Sequence, residues 1–249
     1  MLLLPDRQRK ILEKIMQHKI IGIIGGIAPP STIEYYQKII HGYRNRTQSN
    51  QYPSMLINNI NMTKMLDFVF KKDFSGLVGY LTGEVQKLAN GGADFAILAS
   101  NTPHIVFDQV QKKVKLPMIS IVEATVKFAK SRNLKKLGLL GLKSTMQDGF
   151  YQAGFIKEKM EMVVPPIQSQ EYIHEKYMSE FVKGIFLPET KQKFIEIVND
   201  MIKHDHIDGL VLGGTELPLI LEEKDFKDLV VLNTTEIHVD SILEYALSN

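Results

Sequence analysis

The sequence repeats itself weakly, which limits the folds open to it. Lys19–Gly25 (KIIGIIG) resembles Lys135–Gly141 (KKLGLLG), with Gly22 and Gly138 lying 116 positions apart. Ala93–Thr102 (ADFAILASNT) resembles Ile207–Glu216 (IDGLVLGGTE), with Asp94 and Asp208 lying 114 positions apart. Two blocks in the same order at nearly the same offset point to a duplicated unit. The other reading is two unrelated strand–turn–helix units of one sheet.

Short apolar runs alternate with amphipathic segments through the first half. Strands are expected at Ile20–Ile24, Met55–Ile60, Phe95–Ala99 and Pro117–Val122. Helices are expected at Ser31–Tyr43, Ser75–Asn90 (ended by Gly91 and Gly92) and Glu123–Arg132. Strand–helix alternation implies parallel strands covered on both faces. The fold class expected is therefore α/β, with two similar lobes, each a mainly parallel sheet flanked by helices, related by a pseudo-twofold axis. Residues 1–18 read as a helical N-terminal extension, since Ile11, Leu12, Ile15 and Met16 share one helix face, or else as an arm that contacts a partner. Lobe 1 is expected over 19–117 plus 230–249, and lobe 2 over 118–229.

Composition narrows the function. With 249 residues and 44% hydrophobic content, the chain can bury a full core. A net charge of +2 gives no reason to expect nucleic acid or a membrane surface as partner. No apolar run approaches a membrane span and none reads as a signal peptide, so a cytoplasmic protein is expected. There is no cysteine, which excludes disulfides, thiolate metal sites and a cysteine nucleophile. His204 and His206 are two apart and would not share a helix face, so no metal site is expected.

Ligands of α/β sheets bind beyond the carboxyl ends of the strands. In a duplicated fold two equivalent strand-end loops, 100–102 and 214–216, would face each other across one cleft. Four motifs sit at such ends. Gly25–Thr32 (GGIAPPST) comes after a strand and precedes a helix, so Pro29, Ser31 and Thr32 belong either to a cradle for a carboxylate or to a plain turn. In the second case Ser31 caps the helix and Glu34 completes a capping box. In Ser100–His104 (SNTPH), Ser100, Asn101 and Thr102 offer uncharged donors and acceptors for a small zwitterion. His104 is either a general acid or base or a turn histidine. In Gly213–Pro218 (GGTELP), Gly214 permits close approach, Thr215 offers a hydroxyl, and Glu216 either transfers protons or caps a following helix through backbone N–H groups. Ser144 and Thr145 stand where the first half has its Gly-Gly turn, and either hold a second carboxylate or cap a helix.

Together these motifs resemble the aspartate/glutamate racemase family, within the wider group of glutamate and hydantoin racemases. The family's Gly-Gly-Met-Gly-Pro turn is similar to Gly25–Pro29, its Cys-Asn-Thr-x-His element to Ser100–His104, and its Gly-Cys-Thr-Glu element to Gly213–Glu216. The resemblance runs from about Lys19 almost to the C-terminus. It implies two α/β lobes with the site between them, proton transfer at an α-carbon without pyridoxal phosphate or another cofactor, and an amino acid or small carboxylate as ligand. A homodimer is the expected assembly. In the family two cysteines flank the α-carbon. Here those positions hold Ser100 and Gly214, so a two-thiol mechanism cannot operate. Serine is a poor acid at neutral pH and glycine has no side chain. Basic residues of aspartate-specific members are matched by Lys64 at most, for Gln170 stands where a lysine is expected. The candidate functions are a racemase-like isomerase with rewired acid and base (Ser100, His104, Glu216), an inactive carboxylate-binding homologue, and a one-face lyase or decarboxylase-like enzyme.

Overall fold

The computed structural model describes residues 18–248. The helical extension expected over 1–18 therefore lies outside the described residues, except for His18.

Eight strands lie among the described residues, in two sheets of four. The first runs β2 (Met55–Asn59), β1 (Ile21–Gly25), β3 (Phe95–Leu98), β4 (Met118–Ile119). The second runs β6 (Glu161–Val163), β5 (Lys136–Gly141), β7 (Gly209–Gly213), β8 (Val230–Asn233). Every pairing is parallel. The order within the sheets is the same when strand numbers are shifted by four, so the repeat in the sequence is a repeat of topology. The repeated blocks are the inner strands, β1 with β5 and β3 with β7. The residues of β1, β3 and β7 are buried throughout, which is why they read as unbroken apolar runs rather than alternating ones.

The same small residue closes each lobe's inner sheet to its surroundings. A Cβ on Gly22 would lie 2.9 Å from the Phe95 carbonyl oxygen, and one on Gly138 would lie 2.9 Å from the Met201 side chain. Asp94 and Asp208 also repeat. Asp94 accepts from Ile20 N–H at 2.6 Å, and Asp208 accepts from Lys135 and Lys136 N–H at 2.7 and 3.0 Å. Each aspartate ties the start of one inner strand to the start of the next.

Both lobe boundaries come later than expected. Met118–Ile119, expected in lobe 2, pairs with β3 in the first sheet. Val230–Asn233, expected in lobe 1, pairs with β7 in the second. The chain crosses between lobes only after these strands, through the next helix in each case. Helix Ile121–Ser131 packs Ile121, Val122 and Val126 into a core with Leu137, Leu139 and Val211 of the second sheet. Helix Thr234–Leu247 packs Val239, Ile242 and Leu243 into a core with Ile21, Ile23 and Ile97 of the first. Each lobe thus lends its last helix to the other, and the two exchanged helices touch. Full burial of Ile242 and Leu243 contributes about 1.5–3 kcal/mol per side chain. The lobes are held by exchanged apolar surface as well as by the chain itself.

The expected strand over Pro117–Val122 is shorter because Ser120 caps a helix from Ile121, accepting from Glu123 N–H at 3.3 Å. The apolar run IVEAT belongs to that helix, not to the strand. No helix among the described residues is long and apolar enough to cross a membrane.

Candidate functional site between the lobes

The ends of β1, β3 and β7 open onto a narrow cavity of about 50 Å³ between the sheets. Ser100, Asn101 and Thr102 line it from the first lobe, and Gly213, Gly214, Thr215 and Glu216 from the second. The two loops that the repeat equates therefore share one cleft. The rest of the wall is mostly apolar, with Ile27, Met62, Leu66, Leu142, Met178 and Val182, and Tyr177 adds a phenol. Among the described residues, the lining contains no lysine or arginine. No group of three or more His, Asp or Glu among them could hold a metal ion.

Gly214 has no side chain, yet the space beside it is filled. A Cβ built there would lie 2.5 Å from the Tyr177 hydroxyl oxygen, 2.7 Å from its Cε2 and 2.9 Å from its Cζ. Tyr177 reaches this point from helix Ile167–Ser179, whose buried face is spaced Gln170, Ile173, Tyr177. Gly214 is absent from the glycines with positive φ, so its need is room for the ring rather than a left-handed backbone.

The Tyr177 hydroxyl donates a short hydrogen bond to Glu216 Oε2. Thr215 Oγ1 donates to the same oxygen at 2.8 Å. With its proton committed there, Thr215 accepts from Ser31 Oγ at 2.7 Å. A chain of hydroxyls thus runs from the first lobe, through Ser31 and Thr215, to a buried carboxylate in the second. Burial and the neighbouring Glu216 carboxylate push the Tyr177 phenol well above the ordinary tyrosine range, so it is a neutral proton donor. Glu216 does not cap the 3-10 turn Leu217–Leu219 through its side chain; its carboxylate faces the hydroxyls instead.

On the first-lobe side, Asn101 is held from across the cleft. Its Oδ1 accepts from the Tyr151 hydroxyl, and its Nδ2 donates to Thr234 Oγ1 at 3.4 Å. Thr234 in turn donates to the Leu212 carbonyl at 2.8 Å. Tyr151 and Thr234 are both fully buried, so the amide sits in a fixed orientation with one N–H to spare.

Both ring nitrogens of His104 are hydrogen-bonded to backbone groups, and the residue is not among those that line the cavity. It lies behind the cleft, 4% exposed. Ile121 N–H donates to its Nε2 at 3.1 Å, which fixes the proton on Nδ1, and Nδ1 donates to the Ser100 carbonyl at 2.9 Å. Burial and the nearby His238 ring lower its pKa to about 3. Both ring nitrogens are used, and the residue braces the Ser100 loop against the exchanged helix. His238 is similar. It accepts from the Tyr35 hydroxyl on Nδ1 at 2.8 Å and donates from Nε2 to the Ile119 carbonyl at 3.0 Å, and burial lowers its pKa to about 4.

The first-lobe turn departs from a carboxylate cradle. The helix there starts at Pro29 after Ala28 as N-cap, without a side-chain cap. Pro29 and Pro30 remove two of the N–H groups a cradle would use, and Thr32 N–H already bonds the Ala28 carbonyl at 3.4 Å. Thr32 Oγ1 accepts from Gly26 N–H at 2.8 Å, which fixes the turn from inside. Ser31 makes no capping box with Glu34, because its hydroxyl bonds Thr215. Of this motif, Ile27 and Ala28 reach the cavity, whereas Pro29 and Thr32 do not line it. Ser144 and Thr145 also lie off the lining, and only Leu142 from that loop reaches it. Thr145 is fully buried, and its hydroxyl has no partner. Lys64 points its ammonium over the Tyr80 ring at 4.6 Å, outside the lining. Gln170 is buried, bonding the Pro165 carbonyl and Gln147 at 2.7 and 2.9 Å.

Sequence reasoning missed Tyr177, Tyr151 and Thr234. Tyr177 carried a signal, the i, i+4 spacing from Ile173 on one helix face, but nothing in the sequence joined it to a glycine 37 residues away.

Known proteins share this outline. The family model described as Asp/Glu/Hydantoin racemase matches residues 24–242. The broad specificity amino-acid racemase RacX of Bacillus subtilis (strain 168) is 26% identical over 212 residues, covering 82% of this chain and 88% of that protein. The crystal structure of an aspartate racemase homologue from Pyrococcus horikoshii OT3 is 33% identical and superposes with a TM-score of 0.81, covering 92% of this chain and 100% of that one. A glutamate racemase from Francisella tularensis, crystallised with D-glutamate, shares the fold at 18% identity and a TM-score of 0.60, covering 93% of this chain and 84% of that one.

Proposed function

Because the chain belongs to the Asp/Glu/hydantoin racemase family while containing no cysteine, we propose that its cleft holds a small α-amino acid with a neutral side chain and does not racemise it by the paired-thiol route. The observation that carries this reading is the filled space at Gly214. The position that would need a thiol on the second lobe is taken by the Tyr177 ring.

The ligand class comes from the lining. Ser100, Asn101 and Thr102 offer hydroxyl and amide donors to an α-carboxylate, and Glu216 offers a partner to an α-ammonium. A second carboxylate, as in aspartate or glutamate, would meet Leu66, Met178 and Val182 without a cation among the described lining residues. Burying such a charge unpaired is costly. A small aliphatic or thioether side chain suits that wall and the narrow volume. That RacX is named for broad amino-acid specificity agrees with a family site that accepts more than acidic substrates. The same reading keeps the chain a cofactor-independent homodimer in the cytoplasm.

The test is a thermal-shift and calorimetric screen over D- and L-amino acids and small dicarboxylates. Alanine, valine or methionine should bind in preference to aspartate and glutamate. Saturation at about a hundredfold over the dissociation constant adds about 2.7 kcal/mol of stability. Exclusive binding of dicarboxylates, or of nucleotides, would remove the reading.

A further inference from the structure

The geometry points to Tyr177, working with Glu216, as the proton-transfer group on the second-lobe face of the cleft. This rests on the proposed amino-acid site and adds a reaction to it. Four observations support it. The phenol oxygen stands 2.5 Å from where a Cβ of residue 214 would be, so it occupies the place from which a side chain at 214 would act. Its proton is directed at Glu216 Oε2. The Glu216 backbone nitrogen lies 3.5 Å from the same phenol oxygen, positioned to steady charge that gathers there while one proton leaves and another arrives. Both Tyr177 and Glu216 line the cavity, so the pair is not sealed inside the core.

The reaction such a pair supports is reversible exchange of the α-proton from one face. The Cα–H bond breaks as the phenol oxygen takes that proton, while the phenol's own proton passes to Glu216 Oε2. The electron pair stays on Cα, spread into the ligand's carboxylate. In the reverse direction Glu216 returns a proton to the phenol, and the phenol returns one to Cα on the same face. Once the Glu216 carboxyl has exchanged with the solvent, the returning hydron is the solvent's. The opposite face meets Ser100, whose hydroxyl has no base beside it now that both His104 nitrogens are engaged. One face works and the other does not, so exchange occurs with retention of configuration.

The experiment monitors the Cα–H signals of L- and D-alanine, L- and D-methionine and L- and D-glutamate in deuterated water with the full-length protein. The expected result is deuterium entry into one enantiomer of alanine or methionine, with no inversion. Tyr177→Phe keeps the ring in place and should slow exchange by about 100-fold or more, while the ligand-induced thermal shift persists. Glu216→Gln should slow exchange as well, measured at saturating ligand because the loss of the ammonium's partner also weakens binding, and it decides the matter if the Tyr177 variant does not fold. Absence of exchange by the wild type overturns the inference; if the amino acids still bind, the binding reading survives. Unchanged exchange in both variants, or inversion at a rate similar to exchange, overturns it as well.

Discussion

Placing a cysteine at position 214 should cost stability rather than restore chemistry. In Gly214→Cys the new Cβ would sit 2.5 Å from the Tyr177 oxygen and under 3.0 Å from two ring carbons. The ring cannot swing clear as a flexible chain end would, because Tyr177 is 5% exposed and its hydroxyl is held by Glu216. Overpacking of this kind costs about 1–3 kcal/mol, or about 2–4 °C of melting temperature per kcal/mol for a chain of this size. Tyr177→Ala alone opens a large cavity, costing about 3–5 kcal/mol by analogy with other aromatic truncations. In the double variant the cysteine side chain refills part of that cavity, so the two costs should not add. Urea denaturation of the four proteins gives the coupling directly, and about 1–3 kcal/mol of favourable coupling is expected. A Gly214→Cys protein as stable as wild type, with additive effects in the cycle, would refute the claim that Tyr177 occupies this space. The same reasoning predicts that Ser100→Cys combined with Gly214→Cys gives no racemase unless residue 177 is also made smaller.

Buried groups give two other predictions. His104 and His238 have folded pKa values of about 3 and about 4, below the ordinary value near 6.5. As pH falls below about 6.5 the unfolded chain takes up protons that the folded chain refuses, so stability decreases until the folded pKa is reached, at up to about 1.4 kcal/mol per pH unit for each histidine. Denaturation at pH 7, 6 and 5 should show this loss, and His238→Gln should reduce its slope; a flat profile would contradict the buried neutral assignment. Thr145→Val removes a hydroxyl that is buried without a partner and should be neutral or stabilising, with ligand affinity unchanged; weaker binding would restore Thr145 to the site.

Much of the fold was legible because the duplicated strands carry their pattern locally. Lys19–Gly25 and Lys135–Gly141 announce the inner strands, and the loops at Ser100 and Gly214 lie where their partner strands end. The lobe boundaries were less legible. Ile121 and Val122 suit a strand or a helix equally, and only the Ser120 cap decides. The site was half visible. Asn101, Thr215 and Glu216 were read from strand-end polarity. The carboxylate cradle expected at Gly25–Thr32 was the weaker reading, because Pro29 and Pro30 carry no N–H and Ser31 bonds Thr215 instead. The true partners of His104, Ser31 and Gly214 come from other elements, at sequence separations of 17, 184 and 37 residues. No local pattern encodes such contacts.

With the Tyr177 ring filling the space beside Gly214 where a second thiol would stand, the cleft should invert no amino acid. Chiral chromatography checks this, with the purified protein incubated separately with each enantiomer of alanine, methionine, aspartate and glutamate. Each enantiomer should be recovered without its mirror image above the protein-free control, including those that bind. Appearance of the opposite enantiomer at an enzymatic rate, for any of these amino acids, would mean that groups on both faces of the cleft transfer protons.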